Sequence, residues 1–121
     1  MANATIINTS KLGDTRAKLP GAVQSSRDTV TIHWLFAEGT PVNLTAATIT
    51  GNKRDVSTGT VSALDGGFAV VGGAAGIFTW AYGVTDVGTA GKYVVQFKSV
   101  SGGTTTYSSK LAWEVEETLT V

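Results

Sequence analysis

The chain has 121 residues, nine Lys+Arg against nine Asp+Glu, no cysteine and one histidine. That length makes one domain, and the zero net charge excludes nucleic-acid or anionic-membrane binding driven by bulk positive charge. The missing cysteines exclude disulfides, thiolate zinc sites and a Cys nucleophile.

Charged residues make up 15% of the chain, against a usual ~25%. Nineteen Thr and 15 Gly fill the gap, while Leu is scarce at 7. Thr and Val favour strands and Gly punctuates them, so the composition is that of a β-protein with many turns. A surface with few charges is weakly protected against self-association, which points to a protein packed against neighbours.

The N-terminus, Met1-Ala2-Asn3-Ala4-Thr5, lacks the basic and apolar regions of a signal peptide, so synthesis and folding in a cytoplasm are expected. No run of 18 apolar residues is present, so no membrane partner is expected. The sequons at Asn3, Asn8 and Asn43 read as products of Thr-rich sequence. Residues 1–28 read as an N-terminal strand plus a polar arm or loop, and 29–121 as the body of one domain. Residues 9–27 carry Lys11, Arg16, Lys18 and Arg27 together with Gly13, Pro20 and Gly21. A loop that long is usually functional or disordered, and either an arm that orders against a neighbouring subunit or a mobile N-terminal segment fits it.

From Thr29 to Ala37, Val30, Ile32, Trp34 and Phe36 alternate with polar positions, the period of a half-buried strand. Glu38 to Pro41 reads as a turn and Val42 to Leu44 as a short extended piece. A strand opens at Thr48-Ile49-Thr50 and turns polar through Asn52, Lys53 and Arg54, an end expected to be exposed or at an edge. Thr60 to Ala63 is a weak strand, and Asp65-Gly66-Gly67 a turn. Phe68 to Val71 is a short apolar run, and Gly72 to Gly76 a loop. Phe78, Trp80 and Tyr82 alternate in the next strand. After a turn at Asp86 to Gly91, Tyr93, Val95 and Phe97 alternate in another. A hairpin turn at Ser101-Gly102-Gly103 leads to the closing strand through Thr105, Tyr107, Leu111, Trp113 and Val115. No stretch shows helical spacing over three turns. Seven or eight short strands at this spacing mean a β-sandwich or small barrel, with Trp34, Phe36, Phe78, Trp80, Tyr93, Val95, Phe97 and Trp113 in or near the core.

Chemistry finds little support. His33 sits mid-strand with no nucleophile and orienting group at recognisable spacing. The carboxylates fall mostly in turns, where Asp caps its own backbone. No D-x-D-x-D run suggests calcium, and Gly72 to Gly76 lacks the ending of a phosphate loop. No enzyme activity, cofactor or metal is expected. The three tryptophans fall on inward faces, whereas Tyr82 and Tyr107 lie at strand ends and suit exposed contacts. Glu114, Glu116 and Glu117 form either a solvated strand edge or a docking patch for a basic arm. The candidate partner-binding residues are therefore Lys11, Arg16, Lys18, Arg27, Lys53, Arg54, Tyr82 and Tyr107.

The run Asp86-Val87-Gly88-Thr89-Ala90-Gly91-Lys92-Tyr93 resembles the turn into a late strand of immunoglobulin-like sandwiches, where a Gly-x-Tyr tyrosine bonds back to the corner backbone. More specifically, Gly13-Asp14-Thr15, Leu19-Pro20, Gly39-Thr40-Pro41-Val42-Asn43-Leu44-Thr45 and Gly91-Lys92-Tyr93 come in an order that resembles the immunoglobulin-like N-terminal domain of tailed-phage baseplate upper proteins. The resemblance spans nearly the whole chain. It implies an all-β, immunoglobulin-like sandwich of 7–8 antiparallel strands with an extended N-terminal arm. It also implies a virion structural protein that contacts tail, baseplate or major capsid proteins in multiple copies. A chain this short also resembles a capsid decoration protein. A carbohydrate-binding or adhesion module, with Tyr82 and Tyr107 stacking on glycan, is the alternative.

Overall fold

The computed structural model describes residues 2–8, 19, 21–26, 28–35, 40–108 and 110–118, the first stretch as backbone. Phe36, expected in the core, lies outside the described residues. The strands are β1 (Ala2–Asn8), β2 (Ala22–Val23), β3 (Thr29–Leu35), β4 (Thr48–Asp55), β5 (Val61–Ala63), β6 (Gly67–Gly72), β7 (Ile77–Ala81), β8 (Gly91–Ser101), β9 (Thr104–Tyr107) and β10 (Leu111–Glu116). One 3-10 turn, Gly73–Ala75, separates β6 from β7. The fold is an all-β sandwich.

One sheet runs β1-β3-β7-β6, and the other runs β2-β10-β8-β4-β5 with β9 beside the distal half of β8. Most pairings are antiparallel, but two are not. Strand β1 lies parallel to β3, and β2 lies parallel to β10. This corrects the expectation of seven or eight antiparallel strands. The two parallel neighbours are each reached by a long connection, as parallel pairing demands. The expected closing strand is split. Thr104–Tyr107 pairs with Lys98–Ser101, and Leu111–Val115 then pairs with Gly91–Val95.

Part of the expected arm belongs to the sandwich. Leu19 is buried, and its N–H donates to the Ala112 carbonyl at 2.9 Å. Ala22 is also buried, and the Gln24 N–H reaches the Glu116 carbonyl at 2.7 Å. Residues 9–18 lie outside the described residues.

The core follows the period-two pattern. Val30, Ile32 and Trp34 from β3 meet Phe78 and Trp80 from β7, and face Tyr93, Val95, Phe97, Leu111, Trp113 and Val115 from the second sheet. The rings touch across the layers: Phe78 lies edge-on to Phe97 at 5.3 Å, and Trp80 sits 5.0 Å from Trp113. Aromatic pairs at such distances add about 0.5–1.5 kcal/mol each beyond their area burial.

The glycine-rich loop is explained by what it touches. Val42 and Leu44 are buried, and their N–H groups donate to the carbonyls of Trp34 and Gly73. The Trp34 N–H in turn donates to the Gly76 carbonyl at 2.7 Å. The 41–45 turn thus lies backbone against backbone on Gly73 and Gly76, where a side chain has no room. Gly76 has φ of 71°, and a Cβ there would come within 2.5 Å of the Trp34 carbonyl oxygen. Gly76→Ala is expected to cost at least about 2 kcal/mol, from left-handed strain and a backbone clash together. Urea denaturation checks this, with Gly59→Ala as a comparison: it shares the positive φ but meets nothing within 4 Å.

Candidate functional site

Four of the expected partner-binding residues, Lys11, Arg16, Lys18 and Arg27, lie outside the described residues. Arg54 and Tyr107 are exposed, Tyr107 at the end of β9. Lys53 and Tyr82 correct the expectation, since both are buried. Tyr82 continues the inward phase of Phe78 and Trp80. Its ring packs edge-on to Trp80 at 4.8 Å and lies 5.6 Å from Trp113. It is core and offers no face for a sugar ring. Lys53 lies on the inward phase set by Ile49 and Gly51. Strand β4 is interior there, with Lys53 paired to Val95 of β8 on one side and Ser62 of β5 on the other.

What makes a buried lysine tolerable is the loop that crosses from β7 to β8. The Lys53 ammonium donates to the Thr85 carbonyl at 2.8 Å and the Asp86 carbonyl at 3.1 Å, and lies 4.6 Å above the Tyr93 ring. Its aliphatic stem crosses the end of the core while its head is satisfied by oxygens and a ring face. Burial pulls its pKa below the ordinary 10.5, with the charges of Asp86, Asp65 and Asp55 pulling the other way.

Asp86 is fully buried. One carboxylate oxygen accepts the Asp65 N–H at 2.8 Å. The other accepts from Gly66 N–H at 3.0 Å, Gly83 N–H at 2.9 Å and the Trp80 indole N–H at 3.1 Å. Charge-assisted bonds of this kind are about twice as strong as neutral ones. A few residues on, the Tyr93 hydroxyl donates to the Thr89 carbonyl at 2.7 Å, the back-bond expected at this corner. The β7–β8 crossing is therefore tied to the β5–β6 turn, to β4 and to β8. Asp86 is the residue that sequence reasoning missed. The sequence places it in a turn, but nothing local signals that two of its four donors come from 20 and 21 residues away.

Two shallow grooves flank Tyr93. A polar one of about 280 Å³ is lined by Lys53, Asp55, Thr58, Thr60, Ser62 and Thr89. A more apolar one of about 390 Å³ runs past Leu19, Val56, Lys92, Val94, Ala112 and Glu114. Glu114 and Glu116 project from the solvent face of β10, an inner strand, with Glu114 directly opposite Lys92. Among the described residues no three His, Asp or Glu gather where they could hold a metal ion. His33 lies on the half-buried outer face of β3, in register with Ile77.

Replacing Asp86 with Ala takes the acceptor from four donors, of which the Trp80 indole and the Gly83 N–H are buried, and the expected loss is about 3–5 kcal/mol. Lys53→Met removes a cation that was already poorly solvated, and should cost less, about 1 kcal/mol. Thermal or urea unfolding of the two variants checks that order.

Tyr82 and Tyr93 are held above the ordinary phenol value of 10.0, first by burial, with nearby acids adding. Their folded pKa values are raised, so the stability they contribute is complete below pH 10 and falls as pH rises through the folded values. Lys53 runs the other way, because its folded value is lowered: it adds stability as pH approaches 10.5. At pH 10, absorbance at 295 nm should show less tyrosinate in the native protein than in the urea-unfolded chain.

No family model and no curated protein matches the chain. Among solved structures, it is similar to the N-terminal domain of phage TP901-1 ORF48, at 10% sequence identity and a TM-score of 0.62. The match covers 95% of this chain and 98% of that one, and at such identity it speaks for the fold.

Proposed function

We propose that the chain is a structural module of a tailed-bacteriophage particle, an immunoglobulin-like domain that works by binding other virion proteins. The observation that carries this reading is the end-to-end likeness to a phage N-terminal domain, which leaves almost no part of either chain over. It joins the short motifs that resemble baseplate upper proteins. One of them, Gly91-Lys92-Tyr93, forms the corner bond to Thr89. Another, residues 41–45, is the turn seated on Gly73 and Gly76.

The mechanism is multivalency. Single contacts of low affinity become durable when many copies meet a ring or lattice at once. Such a module needs a rigid body more than a pocket, and the bonded β7–β8 crossing supplies one. The motifs favour tail or baseplate attachment over capsid decoration, and the contact surfaces are the exposed loops, with Arg54 and Tyr107 as exposed members, together with the 9–27 segment apart from the buried Leu19 and Ala22.

Gold-tagged antibody against the chain, applied to particles from a lysate and viewed by electron microscopy, tests the reading. Gold at the tail or its tip is expected. Gold over the heads would move the module to the capsid. Particles without gold, in a lysate where the chain is detected by blotting, would overturn the virion role.

A further inference from the structure

The charges of this chain are unevenly placed. Residues 56–85 hold a single Asp, Glu, Lys or Arg, namely Asp65, while the other 17 of the 18 lie elsewhere. This quarter of the protein, with its single charge, builds β5, β6 and β7, and with them one open side of the sandwich. Strand β6 is the edge of its sheet and pairs only with β7 among the described residues. Natural edges are usually guarded by Lys, Pro or an inward charge, because unpaired N–H and C=O groups invite another strand. Strand β6, Gly-Phe-Ala-Val-Val-Gly, has none of these. Its one irregularity is a register shift between Val70 and Gly72, which leaves Gly67 to Val70 in regular register with β7.

The side chains agree with an edge waiting to be covered. Phe68 and Val70 point inward and pack against the core but stay only half-buried. Phe68 stacks on Trp80 at 6.2 Å and meets Phe97 at 6.1 Å, so this is the flank where the core reaches the surface. On the outer face, Ala69 is exposed and Val71 is 62% exposed. Cross-strand neighbours extend that face without charge: Ala69 pairs with Thr79 and Gly67 with Ala81, and Thr31 and Thr29 of β3 follow in the same rows.

We propose that the β6 edge is a homotypic interface, at which β6 of a second copy adds in antiparallel register across a two-fold axis near Ala69. A second copy is the occupant these observations favour. Antiparallel pairing about a two-fold axis is self-complementary. A charge-free strand opposite itself suffers no like-charge repulsion. Centring on Ala69 sets Phe68 of one copy opposite Val70 of the other, covering the half-buried pair on both sides. The two sheets then become one continuous sheet of eight strands. The proposal deepens the reading of the chain as a multi-copy assembly module by naming one contact, and it can fail while that reading stands.

The test uses the full chain in solution. Sedimentation velocity over a range of concentrations should show a monomer–dimer equilibrium. Ala69→Lys should weaken it by about tenfold or more by placing like charges at the axis. Val71→Lys should act in the same direction, and Thr106→Lys, on the far sheet, should leave it unchanged. Circular dichroism checks that each variant is folded. Because the chain has no cysteine, Ala69→Cys offers a second readout. Across an antiparallel axis two such residues come within disulfide range, so mild oxidation should give a covalent dimer. A wild-type chain that stays monomeric throughout, or dimers that form equally well with Lys at 69 and 71, would overturn the proposal. The particle-labelling result is independent of both.

Discussion

The buried carboxylate of Asp86 is the interaction on which the rest of the structure depends. A sandwich must pass the chain from one sheet to the other, and every crossing leaves backbone donors and acceptors without a ladder to join. Here one side chain accepts from Asp65, Gly66 and Gly83, and from the indole of Trp80. The carbonyls of the same loop take the ammonium of Lys53. The polar cost of the crossing is thus met within one cluster. The aromatic layer beneath can then pack against a fixed lid, with Tyr82, Trp80 and Trp113 in mutual contact. Without the carboxylate, the β5–β6 turn and the β7–β8 crossing would lose their common partner.

What was legible in the sequence was local. Alternation named Trp34, Phe78, Trp80, Tyr93, Val95, Phe97 and Trp113 as core, and all seven are buried, because period two is a property of the strand itself. The hairpin at Gly102-Gly103 was legible for a similar reason: both glycines have positive φ. Lys53 was misread because residue type was weighed above phase. Counting from Ile49 through Gly51 puts it inward, but its polar partners come from a loop 32 residues away. The parallel neighbours of β3 and β10 were not legible, since nothing in a short apolar run says which strand lies beside it or in which direction. Asp86 was hidden for the same reason.

For function, the consequence is that the interior says little and the outside says more. The two buried charged residues among those described, Lys53 and Asp86, both hold the crossing. The candidate contacts that remain are surface ones: the apolar groove rimmed by Lys92 and Glu114, the exposed Tyr107, and the uncharged flank of β6. Charge on one part of a surface favours specific pairing, whereas an uncharged strand edge meets no like-charge repulsion.

The tryptophans carry a practical consequence. Trp34, Trp80 and Trp113 are all sealed from solvent, and the indole of Trp80 is bonded to a carboxylate. Their emission reports whether the core is intact and is nearly blind to whatever touches the outside. A docking partner or a polysaccharide could bind at any exposed loop without changing intrinsic fluorescence. A silent titration would therefore carry no information about binding. A reporter for association has to be added from outside, and a single dye-bearing cysteine is unambiguous in a chain that has no other.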